Sequence, residues 1–177
     1  MAVTYALFDF GPSAGAVSTA EHEAAHVIVA WRLGIPVRGV ALMPEGALRG
    51  GTICDWESLR DSYSSRDTCI RGFAVAYAGI VHDLQQDEQM SFEELHNQLP
   101  TDADAIEDVR KKLRNWEQLA ISDETEVEAS AGRQLAQKLV TEEIARIQRL
   151  GDHLVTVQSM DEQEIQTWLH ADVTHHP

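Results

Sequence analysis

The chain has 177 residues, 44% of them hydrophobic and 24% charged, which fits a globular protein with a sizeable core and excludes a disordered chain. Its formal net charge of −15 argues against binding to nucleic acid or to an anionic membrane surface, because both require basic groups. No apolar run is long enough to cross a bilayer, and the N-terminus lacks the basic and apolar regions of an export signal, so we expect a cytoplasmic protein.

The first predicted helix begins at Ser18, because Ser18 and Glu21 form an S-x-x-E capping box. Gly34 and Pro36 predict where it ends. Residues 24–31 are almost all apolar, and the helix therefore has hardly any polar face. Such a pattern indicates a helix that is buried on most sides.

Two short strands follow this helix, and the rest of the chain reads as helical. The strands Val37–Met43 and Gly51–Trp56 flank "PEGALRG", whose turn-forming residues favour a hairpin. Apolar residues at three- and four-residue steps then predict four helices. These helices are Ser65–Leu84, Thr101–Trp116, Asp123–Leu150 and Ser159–Leu169. The predicted fold class is mainly α, with one small β-hairpin.

The domain organisation predicted from this pattern is simple. A single domain over 17–170 lies between an N-terminal tail over 1–16 and a C-terminal tail over 171–177. Cys54 and Cys69 lack the spacing of a metal site, and we expect reduced thiols rather than a disulfide.

The first helix carries the motif H-E-x-x-H at His22, Glu23 and His26. Residues four apart lie on one helix face, so both imidazoles can reach a single metal ion, and Glu23 lies beside it as a base for bound water. The alternative is a pair of core histidines. A glutamate buried between them would be costly without a role, which favours a zinc site.

This motif and its surroundings resemble the peptidase domain of the FtsH family of zinc metallopeptidases. The resemblance covers most of residues 19–167 and is carried by three segments, over 20–52, 73–84 and 134–165. Ala25 stands where the family has glycine. The resemblance implies a zincin-like, mainly helical peptidase fold with a zinc cofactor. Peptidase domains of that family pack as rings, so the resemblance leaves an oligomer open.

A catalytic zinc needs a third protein ligand, and the resemblance implies an aspartate early in a later helix. In "TDADAIEDVRKKL", Asp102 lies on the same helix face as the apolar stripe, whereas Asp104 points almost the opposite way. Asp102 is therefore the predicted ligand, although both aspartates also suit a helix N-terminus. The remaining candidates are Asp104 and then Asp83 or His82. The stripe consists of Ile106, Val109 and Leu113.

The predicted function is that of a zinc-dependent endopeptidase whose metal is held by His22, His26 and Asp102, with Glu23 activating the zinc-bound water. The sequence contains no ATPase module, so we expect ATP-independent cleavage of flexible or unfolded polypeptides, with a separate unfoldase or regulatory protein as a further partner. An extended substrate would add as a strand to an exposed sheet edge, either "GVALM" or "GGTIC".

Two alternatives remain open at this point. One is a non-catalytic zinc-binding interaction module of the same fold, against which Glu23 argues because a structural zinc site needs four protein ligands and no base. The other is a different zincin, such as a small repressor-cleaving peptidase, which the hairpin and the C-terminal helices fit less well.

Overall fold

The fold is mainly helical with a small antiparallel sheet, as the sequence predicts. The computed structural model describes residues 16–43, 49–87, 91–94, 99–120 and 125–175. Its principal elements, in chain order, are α1 (Ala16–Arg32), β1 (Val37–Met43), β2 (Arg49–Cys54), a 3-10 helix (Trp56–Asp61), α2 (Ser65–Gln86), α3 (Pro100–Glu117), α4 (Glu126–Val157), β3 (Ser159–Asp161) and α5 (Glu162–His175).

The helices form where the apolar periodicity predicts them, but their ends differ. Helix α1 begins at Ala16, so the predicted start at Ser18 is two residues too late and Ser18 lies within the helix. Its end is as predicted, because Gly34 adopts a φ of 71° that halts the helix after Arg32. Helix α4 continues to Val157, seven residues past its predicted end at Leu150.

The sheet has three strands in the order β2-β1-β3, one more than the sequence predicts. Residues 159–161 form the third strand, paired antiparallel with Gly39–Ala41, so the prediction that a helix starts at Ser159 is wrong. Helix α5 starts at Glu162, where Asp161 and Glu164 accept hydrogen bonds from each other's backbone N–H groups. Strand β1 is therefore central. This rules out "GVALM" as an exposed edge and, within the described part of the chain, leaves β2 as an edge strand.

Helix α1 lies at the centre of the molecule, between α2, α4 and the sheet, as its apolar sequence predicts. Two glycines of α4 allow this packing, because a Cβ at Gly132 would lie 2.3 Å from the Cβ of Phe73 on α2, and one at Gly151 would lie 2.7 Å from the Cγ of Glu21 on α1. The core is continuous from α1 into the sheet and α2.

Several predictions concern the ends and loops of the chain. The predicted N-terminal tail over 1–16 lies outside the described residues except for Ala16, and so does most of the hairpin turn, over 44–48. Helix α5 runs to His175, within the segment assigned to the C-terminal tail. Cys54 and Cys69 are both buried free thiols. Among the described helices, none combines the length and apolar character that crossing a membrane requires.

Candidate metal centre

Helix α1 places His22, Glu23 and His26 in the interior. None of the three is more than 1% exposed. The Nε2 atoms of the two histidines lie 3.1 Å apart, and the ring centroids are separated by 4.9 Å. This is the arrangement expected of i and i+4 residues on one helix face.

Helix α3 adds a carboxylate to this pair. Asp102 lies in its first turn, is 1% exposed, and places Oδ2 3.3 Å from Nε2 of His22 and Oδ1 3.8 Å from Nε2 of His26. Asp104 is exposed and lies outside the group. The residues that share a face with Asp102 are buried, which orients it inward. They are Ile106, Val109 and Leu113.

The hydrogen bonds of the two imidazoles show which ring nitrogen of each histidine faces Asp102. Nδ1 of His26 donates to the backbone carbonyl of Val75, and Nδ1 of His22 donates to Oδ2 of Asp83, each over 2.7 Å. In the neutral rings the Nε2 atoms are consequently acceptors, and both of them face the Asp102 carboxylate. Oδ2 of Asp102 is buried and has no hydrogen-bond partner among the described residues.

Three acceptors at such short range repel one another unless a cation lies between them. Their ligand atoms all lie within 4.8 Å of one another, so His22, His26 and Asp102 could hold a metal ion. The bond from His22 to Asp83 is the support that metal-binding histidines usually have, a carboxylate on the second ring nitrogen. The donor set therefore fits a metal.

The pKa values of the two histidines diverge because their surroundings differ. Burial alone would lower the pKa of His22, but the attraction of Asp83 and Asp102 outweighs it and raises this pKa to about 10. For His26 burial prevails over the attraction of Asp102, and its pKa falls to about 4. Without a metal, a proton on His22 supplies the positive charge that the group requires.

Glu23 lies beside this group and is held by strand β2. Thr52 Oγ1 donates a hydrogen bond of 2.5 Å to Oε2 of Glu23, while Oε1 is buried and has no hydrogen-bond partner among the residues described. Burial raises the pKa of Glu23 to about 8, against the opposing effects of His22 and Thr52. Glu23 is thus a buried carboxyl group with one oxygen held by Thr52 and the other without a partner among the described residues.

The two other predicted ligand candidates lie next to the group but do not face it. Asp83 bonds the Nδ1 edge of His22, the side opposite Nε2, and its pKa is about 2, because His22 and His82 together outweigh the effect of burial. His82 is 1% exposed, with Nδ1 3.2 Å from Oδ1 of Asp83 and Nε2 3.4 Å from Oε2 of Glu21. Asp83 therefore supports His22 from behind, and His82 contacts Asp83 in turn.

Sequence reasoning missed three residues that shape the site. Gly79 of α2 makes room for His22, because a Cβ there would lie 1.9 Å from its Nε2. Gly50 of β2 makes room for Glu23 in the same way, and Thr52 bonds it. The sequence signals for these residues are a glycine within an apolar helix and, in the strand, a glycine and a threonine. None of these signals shows which side chain of the site the residue contacts.

Compared with models of known protein families, the chain matches none, and a comparison with curated proteins finds no significant match.

Proposed function

We propose that the chain is a zinc-dependent endopeptidase in which His22, His26 and Asp102 hold the metal and Glu23 is the general base. The observation that carries this proposal is the convergence of two imidazoles and a carboxylate beside a buried glutamate with one unbonded oxygen. Two histidines, one carboxylate and a separate base make up the usual donor set of a hydrolytic zinc site.

In this proposal the residues of the chain divide the work of peptide hydrolysis. When bound, zinc would lower the pKa of a water molecule and polarise the scissile carbonyl. Oε1 of Glu23 accepts a proton from the attacking water and later passes it to the leaving amine. Asp83 keeps the His22 ring oriented through Nδ1, and Val75 does the same for His26.

The proposed substrate class rests on the resemblance to the FtsH-type peptidase domain. With a fold of the FtsH-peptidase kind, the chain would take flexible or unfolded polypeptides, either directly or fed by a separate unfoldase. Two features support this part of the proposal. The H-E-x-x-H helix leads into a strand pair, and β2 of that pair lies directly against Glu23.

A second candidate is a non-catalytic zinc-binding interaction module. The observation that favours it is the burial of the whole group, since His22, Glu23, His26 and Asp102 are each 1% exposed or less. A structural metal needs no access, whereas hydrolysis needs water and a peptide at the metal. Against it stands the unbonded oxygen of Glu23, for which a structural site has no use.

Metal analysis and a matched pair of aspartate variants test the site. We expect about one zinc per chain in the purified protein and in Asp104→Ala, since Asp104 is exposed on the same helix, but a loss of zinc in Asp102→Ala. Equal zinc in both variants would remove Asp102 from the site. No zinc in the wild type after reconstitution would end the proposal.

Turnover separates the two candidate functions. An unfolded protein such as casein should be cleaved by the zinc-loaded wild type and not by Glu23→Gln, which keeps the size of the side chain but removes the base. Both proteins should contain zinc. Zinc binding without cleavage in either would favour the interaction module.

A further inference from the structure

We infer that Thr52 is the positioning residue of Glu23: strand β2 holds one carboxylate oxygen and leaves the other as the oxygen that meets the reacting water. This inference rests on the proposed function for its role in catalysis, but the arrangement itself belongs to the protein without metal. Thr52 and Glu23 are both 0% exposed, so solvent does not compete for either partner.

The two oxygens of Glu23 have different surroundings. Thr52 Oγ1 lies 2.5 Å from Oε2 and 3.4 Å from the backbone oxygen of Glu23, and its single proton therefore goes to Oε2. Oε1 has no partner among the described residues although it is buried. A buried carboxylate oxygen without a partner is uncommon in native proteins and indicates a place for a further group.

Gly50 explains how the Oε1 side of Glu23 fits against β2. Residues 50 and 52 are two apart on β2, so a Cβ at residue 50 would point to the same face of the sheet as the side chain of Thr52. A Cβ at residue 50 would lie 2.6 Å from Cγ and 2.7 Å from Oε1 of Glu23. Strand β2 therefore places the hydroxyl of Thr52 against Oε2 and places Gly50, which has no side chain, against Oε1.

The position of β2 is fixed by its pairing with the central strand β1. Gly50 lies opposite Leu42 and Thr52 opposite Val40, and both of these partners are buried. The branched Cβ of threonine further restricts its χ1 angle. A hydroxyl held this firmly stops the carboxylate from rotating about its last torsion and exchanging its oxygens.

The first test uses metal-free protein and measures the ¹³C signal of the Glu23 side-chain carboxyl, assigned by its loss in Glu23→Gln. We expect Thr52→Val to shift this signal and Thr52→Ser to leave it near its wild-type position. Thr68→Val is the matched control, because Thr68 is equally buried and its hydroxyl has no hydrogen-bond partner among the residues described. An unchanged signal in Thr52→Val overturns the inference. Thr52→Ala replaces the valine variant if that one does not fold.

A second pair of variants tests the space at Gly50. Gly50→Ala should displace the Glu23 carboxylate and shift the same signal, while Gly39→Ala on the neighbouring strand should not, since a Cβ at Gly39 meets only the backbone oxygen of Met160 at 3.5 Å. A signal that stays in place in Gly50→Ala would show that Oε1 does not occupy this space.

The role in catalysis is measured on the zinc-loaded protein. Thr52→Val should lower kcat by about ten- to a hundred-fold, the usual effect of a hydrogen bond to a charged group, with KM and zinc content within two-fold of wild type. Thr52→Ser should restore most of kcat. Unchanged kcat in Thr52→Val would refute the positioning role. If the wild type itself cleaves nothing, the proposed function fails, while the carboxyl signal still decides whether Thr52 holds Glu23.

Discussion

At the scale of single residues, the charge of the metal-free site should make the protein sensitive to pH. The pKa of His22 is about 10 in the folded protein, because Asp83 and Asp102 outweigh burial, against 6.5 for an ordinary histidine. A histidine whose pKa is raised by folding stabilises the folded state fully below pH 6.5. This stabilisation is lost as the pH rises through 10. Burial also raises the pKa of Glu23 to about 8, so the free energy of unfolding falls further as the pH rises from 4.5 to 8.

We therefore expect the free energy of unfolding of the metal-free protein to fall between pH 6.5 and 9.5, at up to about 1.4 kcal/mol per pH unit from His22 alone. Urea titrations at pH 6.5, 8 and 9.5 measure this slope. Zinc-saturated protein is the control, since a bound metal replaces the proton on His22. Equal slopes with and without zinc would show that His22 carries no such proton.

Asp83 provides a separate prediction about single residues. It accepts the hydrogen bond from Nδ1 of His22, and carboxylates in this position usually contribute ten- to a hundred-fold to metal affinity. Asp83→Asn should therefore weaken zinc binding by about that factor, as measured by competition with a chromophoric chelator. Asp104→Asn is the control because Asp104 is an exposed aspartate. Equal affinities in the two variants would contradict an orienting role for Asp83.

The motif and the helical periodicity allow only part of the site to be predicted. His22, Glu23 and His26 follow from their spacing. The resemblance implies an aspartate early in a later helix, and the shared apolar face favours Asp102 over Asp104. Thr52 does not follow, because its contact with Glu23 spans 29 residues and depends on how β2 packs against α1. Its spacing within the strand shows which face it occupies but not what lies opposite.

At the scale of elements, the crossing of α1 and α2 depends on Gly79. A Cβ at this position would lie 1.9 Å from Nε2 of His22, so Gly79→Ala must move the ring or separate the helices. We expect the loss of most zinc binding and a destabilisation of about 1–3 kcal/mol, which is typical of overpacked cores. Thermal unfolding and metal content measure both effects. Gly39→Ala, with only an ordinary contact at 3.5 Å, should retain zinc, and retention in Gly79→Ala would contradict this packing.

The elements themselves differ in how well the sequence predicts them. The long helices carry many apolar residues at regular steps, so their existence is clear even where their ends are not. Strand β3 has only three residues, and its pairing with Gly39–Ala41 depends on where α4 ends, at Val157. A strand formed by such a distant contact leaves no periodicity in the sequence, and "SMD" followed by a helical pattern indicated only a helix.

At the scale of the whole molecule, the sheet order decides where an extended substrate of the proposed peptidase would pair. Strand β1 lies between β2 and β3, and within the described residues β2 is an edge of the sheet. The same strand contacts Glu23 of α1 through Thr52, so an edge strand of the sheet lies directly beside the proposed base. In strand addition, main-chain hydrogen bonds supply much of the affinity of an extended peptide.

The last prediction uses the alternation of these main-chain bonds. Along an extended peptide, successive amides point to opposite sides, so only alternate ones can bond to the free edge of β2. A peptide N-methylated at one alternate set of amides should be cleaved poorly by the zinc-loaded protein, whereas methylation of the other set should have little effect. The two methylated peptides control for each other, because they differ only in the register of the methyl groups. Equal cleavage of both would show that the substrate does not pair with β2, and the proposed peptidase would then bind its substrate chiefly through side chains.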